Sequence, residues 1–187
     1  MAASTGVTRP LLIGIAGASG SGKTELARAV HLAYAGETLH FELDHYYRDL
    51  SAMPAAERAM FNFDHPDALD ADLLLKDLAA FKADTPIAQP RYSFVTHTRL
   101  PDSEILKPHP LIFVEGIFSL YWPALRQLLD LRIYVEAPDE ECFRRRAARD
   151  VHERGRTTQG VTEQYERTVS DGAAICASYP SSRGFGN

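Results

Sequence analysis

The run Gly17-Ala18-Ser19-Gly20-Ser21-Gly22-Lys23-Thr24 fits the pattern G-x-x-x-x-G-K-[ST] and follows directly on the apolar segment Leu11 to Ala16. Small residues here let the backbone wrap closely enough for successive N–H groups to point at phosphate oxygens, and a following helix presents its positive end to the same anion. Lys23 is then placed to neutralise β- and γ-phosphates, and the Thr24 hydroxyl to ligate Mg²⁺. A plain Gly/Ser turn is the alternative. The full pattern, with a strand before it and the amphipathic positions Leu26, Val30, Leu32 and Ala33 after it, favours a P-loop and binding of a nucleoside triphosphate.

Elements must hold that loop and bring further chemistry to it. Leu11 to Ala16 reads as a first strand, Gly22 to Tyr34 as a helix, and Thr38 to Leu43 as a short second strand ending at Asp44. Ala52 to Met60 and the leucine-patterned Ala68 to Phe81 read as helices. Arg91 to Leu100 alternates and runs into Pro101-Asp102-Ser103, which suggests a β-hairpin projecting from the core, an insertion over residues 86–108. Leu111 to Val114 is a buried strand ending at Glu115, Ala124 to Leu129 a helix, Leu131 to Val135 another strand, and Asp139 to Asp150 and Thr162 to Ala177 two helices joined by an Arg-rich turn. Strands alternating with helices imply a single α/β domain with a parallel central sheet and ligands at the strands' carboxyl ends.

The bulk numbers narrow the class. At 187 residues and 45% hydrophobic content one domain with a sizeable core is expected. A net charge of −5 argues against a nucleic-acid or acidic-membrane binder, although Arg144, Arg145, Arg146, Arg149, Arg154 and Arg156 make one stretch locally basic. Cys142 and Cys176 have no metal-ligand spacing and suit buried apolar positions in a reducing compartment. The apolar run Leu111 to Trp122 is interrupted by Glu115 and falls short of the roughly 20 residues of a spanning helix, so a soluble, cytoplasmic protein is expected.

A nucleotide site alone does not separate kinases from GTPases, motors or transporter subunits. Five further stretches do: Asp44-His45-Tyr46-Tyr47-Arg48, Phe61-Asn62-Phe63-Asp64-His65-Pro66-Asp67-Ala68, Tyr92-Ser93-Phe94-Val95-Thr96-His97-Thr98-Arg99, Val114-Glu115-Gly116-Ile117, and Arg149-Asp150-Val151-His152-Glu153-Arg154-Gly155-Arg156. In this order behind a P-loop, over about residues 11 to 169, the chain resembles the uridine kinases (uridine-cytidine kinases); phosphoribulokinases and P-loop pantothenate kinases share the loop and the general layout.

That resemblance implies a P-loop three-layer α/β fold with an Arg-rich lid, and transfer of the γ-phosphoryl of ATP, or GTP, with Mg²⁺, to the 5′-hydroxyl of uridine or cytidine in pyrimidine salvage. It implies that Asp44 is the catalytic carboxylate, near the metal, where its own sequence context allows a helix N-cap instead. Lys23, Arg149 and Arg154 would act on the phosphates, and Glu115 would join Thr24 and Asp44 at the metal. Asp64 would bind the ribose hydroxyls, Tyr92 and His97 the pyrimidine edge, and Tyr47, Phe63 and Phe94 would enclose the base. Arg146, Arg156 and Gln164 complete the implied substrate contacts, and a homotetramer is the implied assembly. Without the resemblance, the phenylalanines read as core, His97 as a surface histidine, Glu115 as a strand-end charge, and the arginines as a solvated helix face.

After Val169 the pattern departs: Ser170-Asp171-Gly172-Ala173 and the ending Ser181-Ser182-Arg183-Gly184-Phe185-Gly186-Asn187 stand where the family has a helix, a Pro-containing turn and a last strand, so 170–187 reads as a flexible tail. Two alternatives stay open at this point. One is a kinase of another small alcohol, such as a phosphorylated sugar or a pantothenate-like acceptor, against which the Tyr92 to His97 stretch argues. The other is a catalytically inactive nucleotide-binding module, against which Lys23, Asp44, Glu115 and the arginines argue.

Overall fold

The computed structural model describes residues 9–34 and 36–154. Four short apolar segments form a parallel sheet: β1 (Leu11–Ala16), β2 (Thr38–Glu42), β5 (Leu111–Glu115) and β6 (Leu131–Tyr134), in the spatial order β2-β5-β1-β6. The helices are α1 (Lys23–Ala33), α2 (Ala55–Ala59), α3 (Ala71–Lys82), α4 (Pro123–Leu128) and α5 (Asp139–Arg154), and β3 (Ile87–Ser93) pairs with β4 (Thr98–Leu106) in a separate antiparallel ribbon.

Strand alternation sorts the sheet's side chains between two cores. Ile15 and Phe113 meet Ala27 and Val30 of α1 on one face. Leu12, Phe41, Ile112 and Val114 meet Leu74, Leu78 and Phe81 of α3 and Leu125 of α4 on the other. The result is a three-layer α/β/α arrangement with two parallel neighbours on β1, as the alternating elements require. Phe81 is fully buried with its ring edge-on to Phe41 at 5.7 Å, so truncating it to alanine would cost about 3–5 kcal/mol.

Local chemistry moves several boundaries. Pro54 delays α2 to Ala55, and Pro66 starts a 3-10 turn over Pro66–Ala68, so α3 begins only after Asp70, whose side chain accepts from the Leu73 N–H as an N-cap. The second strand stops at Glu42, and Asp44 lies in a 3-10 turn, Leu43–Tyr46, two residues beyond it rather than at its end or at the N-cap of a helix. The hairpin turns at Phe94–His97, inside the stretch expected to be one strand, while Pro101-Asp102-Ser103 lies within β4. His97 closes that turn at φ 55°, in the left-handed region that histidine tolerates better than most residues, with its N–H on the Ser93 carbonyl at 2.8 Å. The helix expected to end at Asp150 continues to Arg154. The expected helix Thr162 to Ala177, the tail, Arg156, Gln164 and Cys176 lie outside the described residues, as does the side chain of Arg154.

Candidate active site

The P-loop joins the end of β1 to α1. Gly22 caps α1 at φ 104° without a side-chain hydrogen bond, so the first N–H groups of the helix face the loop. Gly20, at φ 86°, has room for nothing larger: a Cβ there would lie 2.3 Å from the Cys142 carbonyl oxygen in the first turn of α5. The loop and the Arg-bearing helix are thus in backbone contact.

Lys23 and Thr24 project toward the carboxyl ends of the strands. Lys23 is buried, donates to the Ala18 carbonyl at 2.9 Å and lies 3.9 Å from Glu115. Burial lowers its pKa, and the nearby Glu115 and Asp44 carboxylates partly oppose that shift. Thr24 Oγ1 donates to Glu115 Oε2 at 3.1 Å. Burial presses the Glu115 carboxyl upward, but His40, Lys23 and Thr24 outweigh it and hold the pKa below the ordinary glutamate value. His40, which the sequence reading passed over, lies with Nε2 3.6 Å from Glu115 and Nδ1 3.4 Å from Glu42. Nothing in the local sequence of β2 singles it out.

The fit to Mg²⁺ rests on the donor set. Thr24 and Glu115 bring hard oxygen donors within 3.1 Å of each other, and Asp44 lies close enough to act on Lys23 electrostatically. Among the described residues no group of three or more His, Cys, Asp or Glu could hold a metal alone. A few protein oxygens beside a phosphate cradle is the arrangement in which Mg²⁺ keeps its waters and shares phosphate oxygens. The residues fit the ion.

A second cluster lies on the hairpin side. Tyr47 stands edge-on to Phe63 at 5.4 Å and 5.3 Å from Tyr92, with its hydroxyl on the Phe63 carbonyl at 3.2 Å. Tyr92 meets Phe94 at 5.5 Å, and the His97 ring stacks on Phe63 at 4.6 Å. Tyr47, Phe63 and Tyr92 belong to the main hydrophobic core, with Phe94 and Phe61 packed against it. The core reading therefore holds for Tyr47, Phe63 and Tyr92, and the residues expected to enclose a base form one continuous cluster with it. His97 is only partly exposed and engaged with an aromatic face, unlike an ordinary surface histidine.

Helix α5 joins the two clusters. Buried Arg146 donates to Asp64 Oδ2 at 2.8 Å beside the aromatics, and Asp64 raises its pKa against the opposing pull of burial. Arg149 donates to Ser19 of the P-loop at 3.2 Å. Asp150, fully buried, accepts from Arg149 Nε and NH2 at 3.0 and 2.9 Å and lies 3.9 Å from Arg146 Nε. Its place directly after Arg149 was the signal for this partner. Arg144 and Arg145 are exposed and pair with Glu141, as a solvated helix face would.

A parallel sheet with a phosphate loop after β1, a carboxylate beyond β2, another at the end of β5 and an arginine helix beside the loop defines a P-loop kinase fold. The model of the phosphoribulokinase / uridine kinase family matches residues 12–177, past the point where the motif pattern departs, and the chain belongs to that family. It is 45% identical to a uridine kinase of Chloroflexus aurantiacus over 87% of this chain and 78% of that protein. It is 43% identical to a uridine kinase of Ligilactobacillus salivarius over 86% and 76%. The phosphoribulokinase of Rhodobacter spheroides shares the fold, with a TM-score of 0.60 over 90% of this chain and 68% of that one at 15% identity. No described helix is long and apolar enough to cross a membrane.

Proposed function

We propose that this protein is a nucleoside kinase that transfers the γ-phosphoryl group of ATP to the 5′-hydroxyl of uridine or cytidine, with GTP as an alternative donor, in the cytoplasm. The observation that carries the reading is the bridge made by α5: Arg146 grips Asp64 beside an aromatic cluster while Arg149, one turn on, reaches the P-loop. A planar acceptor with vicinal hydroxyls suits the first end, and a triphosphate the second. The names of the relatives at 40–45% identity support the same acceptor.

In this reading the residues divide the work. The P-loop N–H groups and Lys23 bind the β- and γ-phosphates, and a phosphate charge would offset the burial that lowers the Lys23 pKa. Thr24, Glu115 and Asp44 would hold Mg²⁺, which supplies charge neutralisation on the phosphates when bound. Asp44 orients the 5′-hydroxyl and takes its proton as that oxygen bonds the γ-phosphorus and the bond from the γ-phosphorus to the bridging oxygen breaks, ADP being the leaving group. Asp64 accepts from the ribose hydroxyls, Tyr92 and His97 meet the pyrimidine edge, and Tyr47, Phe63 and Phe94 enclose the ring. Arg149, and Arg154 by the family resemblance, would act on the charge developing on the transferred group, Arg156 would contact the substrate, and a homotetramer is the assembly expected.

The test is ADP release by the purified chain with Mg²⁺-ATP and uridine, cytidine, adenosine, ribulose 5-phosphate, pantothenate or no acceptor. Stimulation by uridine and cytidine alone is expected. Stimulation by ribulose 5-phosphate or pantothenate instead would reassign the acceptor, and tight ATP binding with no acceptor-dependent turnover would make the chain a binding module.

A further inference from the structure

The hairpin that carries Tyr92 and His97 packs against the turn that carries Asp44, with Tyr46 meeting Gln89 of β3, and the guanidinium of Arg99 adds a fork of hydrogen bonds to that contact. Arg99 stands on β4 directly across from Tyr92. Its Nε donates to the Tyr47 carbonyl at 3.0 Å, and its NH2 donates to Asp70 Oδ2 at 3.1 Å and toward the Tyr46 carbonyl at 3.5 Å. Its own N–H donates to Asp49 Oδ1 at 3.2 Å. Tyr46 ends the 3-10 turn that contains Asp44, and Tyr47 opens the ring cluster.

The surrounding contacts make this a clamp rather than a surface ion pair. Tyr46 O also accepts from Asp70 N at 2.9 Å, and Arg48 N donates to Ala68 O at 2.8 Å, so the segment after Asp44 runs as a short bridge against 68–70. Asp70 uses its other oxygen to cap α3 at Leu73 N. The planar fork of Arg99 spans backbone carbonyls and a carboxylate of that bridge at once with a fixed geometry that a single ammonium reproduces only in part.

We propose that Arg99 is a positioning residue for phosphoryl transfer: it locks the Asp44 turn to the hairpin, so that a base seated against Tyr92 and His97 fixes Asp44 relative to the acceptor hydroxyl. The proposal rests on the nucleoside-kinase reading above. It predicts a loss in the chemical step rather than in nucleotide binding, because displacements near 1 Å at a reacting centre cost up to about 10²-fold.

The experiment compares wild type with Arg99→Met, Arg99→Lys and Asp70→Asn for uridine kcat and KM, and for ADP affinity by calorimetry without acceptor. For Arg99→Met, kcat is expected to fall by about 10- to 10²-fold with ADP affinity unchanged and uridine KM moving less than kcat. Arg99→Lys is expected to recover part of the loss. Asp70→Asn, which retains a capping side chain for α3, is expected to move kcat the same way by less. An intact kcat with only a raised uridine KM would make Arg99 a wall of the base pocket and overturn the proposal. If Arg99→Met does not fold, an unchanged kcat in Asp70→Asn overturns it. A wild type that turns over no nucleoside would overturn the acceptor reading itself, a failure distinct from these.

Discussion

Eight consecutive residues, Gly17 to Thr24, make the proposed donor side of the site, whereas the proposed acceptor side draws Tyr47, Phe63, Asp64, Tyr92, Phe94 and His97 from three separate stretches of chain. The donor side works mainly through backbone: an open helix N-terminus and a glycine packed against the Cys142 carbonyl. The proposed acceptor side works through side chains, of which Tyr47, Phe63 and Tyr92 are part of the core, tied down by Arg99 within the hairpin and its base and by Arg146 from α5. A backbone cradle binds any triphosphate; a set of side chains selects an acceptor. Damage to the first is expected to remove binding and chemistry together, and damage to the second to separate them.

The sharpest break is Lys23→Ala. Removing the cation that faces Glu115 and the proposed phosphates should lower kcat/KM by about 10³-fold and weaken ADP affinity in calorimetry. Normal kinetics would take Lys23 out of the phosphate site. Asp44→Asn should instead lower kcat by about 10² or more while ADP binding stays intact. Near-normal turnover would move the proton-accepting role elsewhere, and lost ADP affinity would make Asp44 a nucleotide ligand first.

His97→Ala tests the acceptor side. It removes one polar partner of the proposed base edge and the ring stacked on Phe63, so uridine KM should rise by roughly tenfold while ATP KM moves little. Equal effects on both substrates would place His97 outside the acceptor pocket.

The same contrast governs what could be read from the residues alone. The P-loop was legible because its chemistry is contiguous and its residue types have few other uses. The parallel sheet was legible because four apolar runs alternate with helical patterns. The proposed acceptor cluster rests on resemblance, since Phe63 and Phe94 carry the signature of core residues and in the structure are partly that. What escaped was long-range: His40 meets Glu115 across two strands, and Arg99 meets carbonyls about fifty residues earlier in the chain. The hairpin turn was misplaced because Pro101-Asp102-Ser103 has stronger turn chemistry than Phe94-Val95-Thr96-His97, while pairing across β3 and β4 decides the register.

The smallest expected effect probes how the Asp44 turn is anchored from its other side. Tyr46 donates its hydroxyl to Asp77 of α3 at 2.7 Å, both side chains being buried. Burial raises the Asp77 pKa, and the Tyr46 hydrogen bond only partly opposes it. The folded state therefore holds the Asp77 proton more tightly than the unfolded chain does. As pH rises from the ordinary carboxylate range through the folded pKa, this group's contribution to stability falls. Asp77→Asn keeps an oxygen to accept from Tyr46 but cannot ionise. The stability of Asp77→Asn minus that of wild type, from urea unfolding, should increase between about pH 4 and pH 7. Other carboxylates titrate alike in both proteins and cancel. A difference that is flat or falls with pH would mean that the Asp77 charge is well solvated in the folded state.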